Sequence, residues 1–228
     1  VLLFLFELYV ERPGLHSFPL RRSSDLITML NGARIEGAGE YGIRTGAFAV
    51  SGAAVPTISL TGSQITGSGR SAIEMLAGGS LTMANATVSG NGTVTPEAGL
   101  RLTGSFAYTL SMRHSSVTDN AGSASGGGLV LQGNASSSFD LGTKTSPGAN
   151  VIANSTGASA TSLRVQVAAG VTVQAVGNTF NASTQGANAS GQYTSASSVC
   201  GGANPCTVTS GSGANFVVTS GALRLVDD

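Results

Sequence analysis

A four-residue phrase returns five times in this chain and constrains its fold more than any other feature. It reads Gly42-Ile43-Arg44-Thr45, Ala72-Ile73-Glu74-Met75, Gly99-Leu100-Arg101-Leu102, Gly128-Leu129-Val130-Leu131 and Ser162-Leu163-Arg164-Val165. Read as extended strand, each copy gives a small residue, an inward aliphatic, an outward residue and a second inward one. The anchors Ile43, Ile73, Leu100, Leu129 and Leu163 are spaced 30, 27, 29 and 34 residues apart. Hairpin sheets repeat at about 8–12 residues, so this longer period needs several strands and turns per repeat, as one coil of a solenoid does.

A second register supports the first. Ile35 and Ile65 stand eight residues before their anchors, whereas Val88, Val117 and Val151 stand twelve before theirs, as a shared four-residue turn insertion would produce. Three residues after the last three valines come Asn91, Asn120 and Asn154. Asparagine tolerates left-handed backbone and bonds neighbouring amides, so these three are expected to form an internal ladder at stacked turns.

Composition narrows the functional classes. Glycine makes up 33 of 228 residues, about twice the usual share, which suits many tight turns. Net charge is zero and Lys144 is the only lysine, so no basic footprint for nucleic acid exists. After residue 26 no window joins strong helix formers to a 3.6-residue period. The expectation is an all-β chain of stacked parallel strands, in about five to seven coils.

Residues such as Val88-Ser89-Gly90-Asn91 followed by Gly99-Leu100-Arg101-Leu102 resemble the right-handed, single-stranded parallel β-helix of the pectin-lyase-like superfamily. The resemblance covers residues 27–181 and extends to exported bacterial β-helix proteins of unassigned activity. It is specific for architecture and says little of activity, because one coil serves lyases, hydrolases, adhesins and inert shafts.

The two ends depart from the pattern. Val1–Val10 is too short to cross a bilayer, carries Glu7 and lacks a basic flank, so it makes a poor signal peptide. Residues 15–26 resemble translated sequencing-adapter read-through, which makes 1–26 an artefact or a disordered arm. Residues 182–228 form a Gly/Ser/Ala-rich segment holding Cys200, Cys206 and two closing strands, Phe216–Val218 and Ala222–Val226. Two cysteines in a lysine-poor, Ser/Thr-rich β chain favour a Cys200–Cys206 disulfide and an exported location.

Chemistry is sparse. The outward position of the repeated phrase reads Arg44, Glu74, Arg101, Val130, Arg164, and four residues earlier stand Glu40, Arg70 and Glu97. Both rows alternate in sign over three coils, as an exposed pairing ladder worth about 0.2–1 kcal/mol per pair would. The same row, Arg44, Glu74, Arg101 and Arg164, is also the best candidate for a saccharide-binding face. No acidic cluster fits calcium, so no metal or cofactor is expected. His114 is read as a solvent-facing strand residue, although a contact with Asp119 is conceivable. The stretches Thr93-Val94-Thr95, Thr143-Lys144-Thr145 and Thr207-Val208-Thr209 begin 50 and 64 residues apart, off the coil spacing, which argues against an ice-binding Thr array.

The resulting expectation is a non-catalytic, monomeric β-helix, secreted or at the cell surface, acting as a structural module or contacting polysaccharide or cell-surface glycan. It has no nucleic-acid partner and no membrane-inserted segment. The alternatives are a degenerate polysaccharide lyase or glycoside hydrolase of the same fold, and a fragment of an adhesin or autotransporter passenger.

Overall fold

A computed structural model describes residues 26–46, 55–122, 127–153, 155–156, 161–180, 192–194, 206–210 and 213–224. Among them the regular elements are all strands, arranged as three sheets that each receive one strand per coil: a parallel β-helix. Strands are numbered in chain order. The first sheet runs β1 (Leu26–Met29), β4 (Thr57–Thr61), β7 (Gly79–Ala84), β10 (Tyr108–Arg113), β13 (Ser138–Asp140), β16 (Thr172–Gln174), β21 (Ala222–Arg224) and β18 (Gln192–Thr194). The second runs β2 (Arg34–Glu36), β5 (Gln64–Thr66), β8 (Thr87–Ser89), β11 (Ser116–Thr118), β14 (Val151–Ala153) and β17 (Thr179–Phe180). The third runs β3 (Ile43–Thr45), β6 (Ile73–Met75), β9 (Leu100–Leu102), β12 (Leu129–Gly133), β15 (Thr161–Val167), β20 (Gly213–Ser220) and β19 (Cys206–Ser210).

The five repeated phrases are the third-sheet strands, and the pairing sets Ile43 opposite Ile73, Ile73 opposite Leu100, Leu100 opposite Leu129 and Leu129 opposite Leu163. Inside the first sheet Ile58, Leu81, Leu110, Phe139 and Val173 stack in the same way, as do Ile65, Val88, Val117 and Ile152 in the second. All these side chains except Ile43 are almost wholly shielded from water, and each contributes roughly 1.5–3 kcal/mol of transfer free energy. Parallel stacking keeps like beside like, so the core is a set of aliphatic columns.

After five full coils, β16, β17 and β20 make a sixth and β21 opens a seventh. Phe216–Val218 and Ala222–Arg224 therefore lie in coil strands, parallel to β15 and β16, and the coil continues past residue 181. A long insertion before β20 breaks the repeat in the sequence without ending it in space.

A left-handed residue recurs at the corner between the first and second sheets in each coil. Gly32, Gly62, Asn85, His114, Ala149 and Gly177 occupy it, with φ from 49° to 80°. Another such column, Gly37, Gly67, Gly90 and Asp119, follows the second sheet. His114 is thus at a corner and not on a strand, and β11 separates it from Asp119, so neither is placed as the other's catalytic partner. Both satisfy a backbone demand that glycine meets elsewhere.

Candidate functional site

The charge rows converge on the outer face of the third sheet. Glu74 of β6 lies between Arg44 of β3 and Arg101 of β9, as the alternation predicts. Arg44 Nε is 2.7 Å from Glu74 Oε2 and Arg101 Nη1 is 2.9 Å from Glu74 Oε1. The second row joins the first: Arg101 Nη1 also lies 3.1 Å from Glu97 Oε2, and Arg70 Nη2 donates to Glu97 Oε1 at 2.6 Å. Ser71 Oγ donates to Glu97 Oε2. Arg164 sits beyond buried Val130, which interrupts the row.

The network is more enclosed than an exposed ladder. Glu74 is only 3% exposed. The guanidinium groups of Arg44 and Arg70 pack 4.5 and 4.7 Å from the centre of the Tyr41 ring. The four-residue insertion brings Gly92–Thr95 back onto the preceding coil through backbone bonds to Ser68, Gly69 and Arg70. Burial works against ionised Glu97, but the Arg70 hydrogen bond and the charges of Arg101 and Arg70 outweigh it and lower its pKa. The Tyr41 phenol is held up, first by burial and then by Glu74 and Glu97. Each carboxylate is engaged by two arginines, so the cluster braces three coils and offers no spare acid or base. Among the described residues no group of three His, Cys, Asp or Glu side chains is placed to hold a metal ion.

The asparagine ladder is present at Asn91 and Asn120, both fully buried. The Ser68 amide donates to Asn91 Oδ1, and the Asn91 amide and Nδ2 both donate to Asn120 Oδ1. Asn154 lies outside the described residues. The register sets Ile152 opposite Val117 and Thr156 opposite Ala121, which puts Ser155 opposite Asn120. Two adjacent aliphatics caused the slip, for Val151 is 40% exposed and Ile152 is buried. A second ladder escaped the sequence reading: the Ser115 amide donates to Asn150 Oδ1 and the Asn150 amide to Asn178 Oδ1. Its signal was the column just before the second-sheet strands, Ser115, Asn150 and Asn178. The Cys200–Cys206 pairing also lies outside the described residues, since Cys200 and the Cys206 side chain are not among them.

The outer face of the first sheet contrasts with the braced face. One register row reads Thr57, Ser80, Thr109 and Ser138. The next reads Thr28, Ser59, Thr82, Ser111, Asp140, Gln174 and Arg224. Hydroxyls dominate both over coils two to four, and Thr57, Thr82, Thr109 and Ser138 are exposed. Ser80 Oγ donates to Thr57 Oγ1 at 3.1 Å, so neighbouring coils hold their hydroxyls within reach of one another. Successive parallel strands lie about 4.8 Å apart, so the rows repeat at that spacing from coil to coil. The legible signal of the face was the hydroxyl-aliphatic-hydroxyl triplet in Thr57-Ile58-Ser59, Ser80-Leu81-Thr82 and Thr109-Leu110-Ser111. A search for Thr-x-Thr alone passes over these mixed Ser/Thr forms. Scans against known protein families, curated protein sequences and solved structures found no match.

Proposed function

We propose that this chain is a non-catalytic β-helix that lays the outer face of its first sheet against a neutral, hydroxyl-rich glycan surface outside the cell. The hydroxyl rows of β4, β7 and β10 carry this reading. They supply donors and acceptors at a regular spacing on one face, with charge confined to its margin at Arg113, Asp140 and Arg224. A neutral polysaccharide presents a matching array, whereas a polyanion would find little positive charge there. The engaged carboxylates of the third sheet support a scaffold over a lyase or hydrolase, because proton transfer needs a group free to give or take the proton.

The test is co-sedimentation with insoluble cellulose, chitin and mixed β-glucan. Binding by the unaltered chain, loss in Thr82→Glu/Thr109→Glu and retention in a Thr95→Glu control would support the reading. Failure to bind any of them would sink it. Binding to soluble polygalacturonate that disappears in Arg101→Ala would instead put the ligand on the charge rows.

A further inference from the structure

The chain holds two Asn-Gly dipeptides, Asn31-Gly32 and Asn91-Gly92. Both glycines are left-handed, with φ of 80° and 82°, so this angle does not tell them apart. Their surroundings do. Asn91 is fully buried; its Oδ1 accepts from the Ser68 amide, and its Nδ2 donates to the Ile65 and Ser89 carbonyls and to Asn120 Oδ1. The Gly92 amide is shared between the Ser68 and Arg70 carbonyls, and a Cβ placed on Gly92 would strike the Ala121 carbonyl and press on the Glu97 backbone. Asn31 and Gly32 are both exposed, at the tip of the turn between β1 and β2 that the Ala33 amide closes onto the Leu30 carbonyl. Nothing lies within 4 Å of the place a Gly32 Cβ would take. The Asn31 carboxamide rests against Gly62 of the next coil, where a Cβ would collide with its Oδ1. The Gly32 amide donates to the Gly62 carbonyl at 2.9 Å.

We propose that Asn31 is a site of spontaneous, age-dependent modification by water, and that the fold protects Asn91 from the same reaction. In the first step the Gly32 nitrogen bonds to Asn31 Cγ, the Cγ–Nδ2 bond breaks, and ammonia leaves with the proton that the Gly32 amide gives up. The product is a cyclic succinimide. Water then opens the ring at either carbonyl. Cleavage of the N–Cγ bond leaves aspartate, whereas cleavage between the Gly32 nitrogen and the Asn31 backbone carbonyl leaves isoaspartate, with the chain running through Cγ. Glycine favours the first step because no side chain shields its nitrogen. The step also needs room for Cγ to swing onto that nitrogen, and a Gly32 amide that has let go of Gly62. An exposed turn meets both by local opening, at far lower cost than the buried column that holds Asn91. Either product puts a carboxylate at the turn, and isoaspartate also lengthens the backbone between β1 and β2.

The test incubates the full chain in mildly alkaline buffer, folded and in urea, and follows both dipeptides by site-resolved peptide mapping with mass spectrometry. Circular dichroism confirms that the folded samples keep their native spectrum. In urea both asparagines should convert at similar rates. In the folded chain Asn31 should convert to a mixture of aspartate and isoaspartate at least about tenfold faster than Asn91, which reacts only through opening of the core. An Asn31 that stays intact in the folded chain while it converts in urea overturns the inference. So does equal conversion of the two sites in the folded chain. Asn31→Gln, whose longer side chain closes its ring far more slowly, should remove the modification from the tryptic peptide that ends at Arg34, which holds no other asparagine. A deamidation product persisting in that peptide would overturn the assignment to Asn31.

Discussion

The outer faces of the first and third sheets share one backbone geometry and use polar side chains in opposite ways. On the third sheet Arg44, Glu74 and Arg101 spend their charge on one another, and Glu97 and Arg70 tie a neighbouring turn into the same network. On the first sheet Thr57, Thr82, Thr109 and Ser138 remain turned to solvent. Outward on a strand is therefore not the same as exposed. A charged row recruits covering groups, because each added partner repays part of its desolvation, whereas a hydroxyl row has no such pull.

The largest expected effect lies on the braced face. Glu74→Arg places three like charges in line with the middle one at a buried position, and should cost about 3–5 kcal/mol by urea denaturation, well above an exposed ladder pair. Adding Arg44→Glu and Arg101→Glu should recover a substantial part. A loss under about 1 kcal/mol would return the row to the exposed class and erase the contrast between the faces.

Asn120→Ala probes polar groups turned fully inward. It strips the acceptor from the buried Asn91 backbone amide, while Asn91 Nδ2 keeps the Ile65 and Ser89 carbonyls, and should cost about 1–3 kcal/mol. Amide exchange at Asn91 should accelerate with it. Unchanged exchange there would mean that another group meets the need.

A smaller effect concerns pH. The folded Glu97 carboxyl titrates below its unfolded value near 4.5, so its stabilisation is present above that value and fades as pH falls through the lower folded one. Glu97→Gln should flatten this part of the acid limb when urea midpoints are compared between neutral and acid pH. An acid limb of unaltered slope would show that other carboxylates carry it. The smallest effect is expected on the hydroxyl face, where Thr82→Val should change stability by no more than about 0.5 kcal/mol. A larger loss would show that the hydroxyl rows stabilise the fold and are not free for a ligand.

Much of the third sheet was legible because its pattern survives in one dimension. A period of two with aliphatics on one parity places Ile43, Ile73, Leu100, Leu129 and Leu163 in register, and a one-residue slip would turn every aliphatic outward. The same rule failed at Val151-Ile152, where either neighbour could be the inward residue. The break at residue 181 was read as the end of the coil because an insertion and a terminus look alike until the chain returns to its sheet.

By itself, then, the sequence determined the solenoid, its period, the sign alternation of Arg44, Glu74 and Arg101, and the buried pair Asn91 and Asn120. These depend on spacings along one strand or between equivalent points of successive coils. Only the tertiary structure decided that Glu74 is enclosed, that Ser115, Asn150 and Asn178 form a second ladder, that hydroxyls from separate coils share one face, and that β18 and β19 pair antiparallel with β21 and β20. Each depends on groups brought together by the winding itself. Burial and edge pairing are properties of what lies across space from a residue, and no local periodicity encodes that.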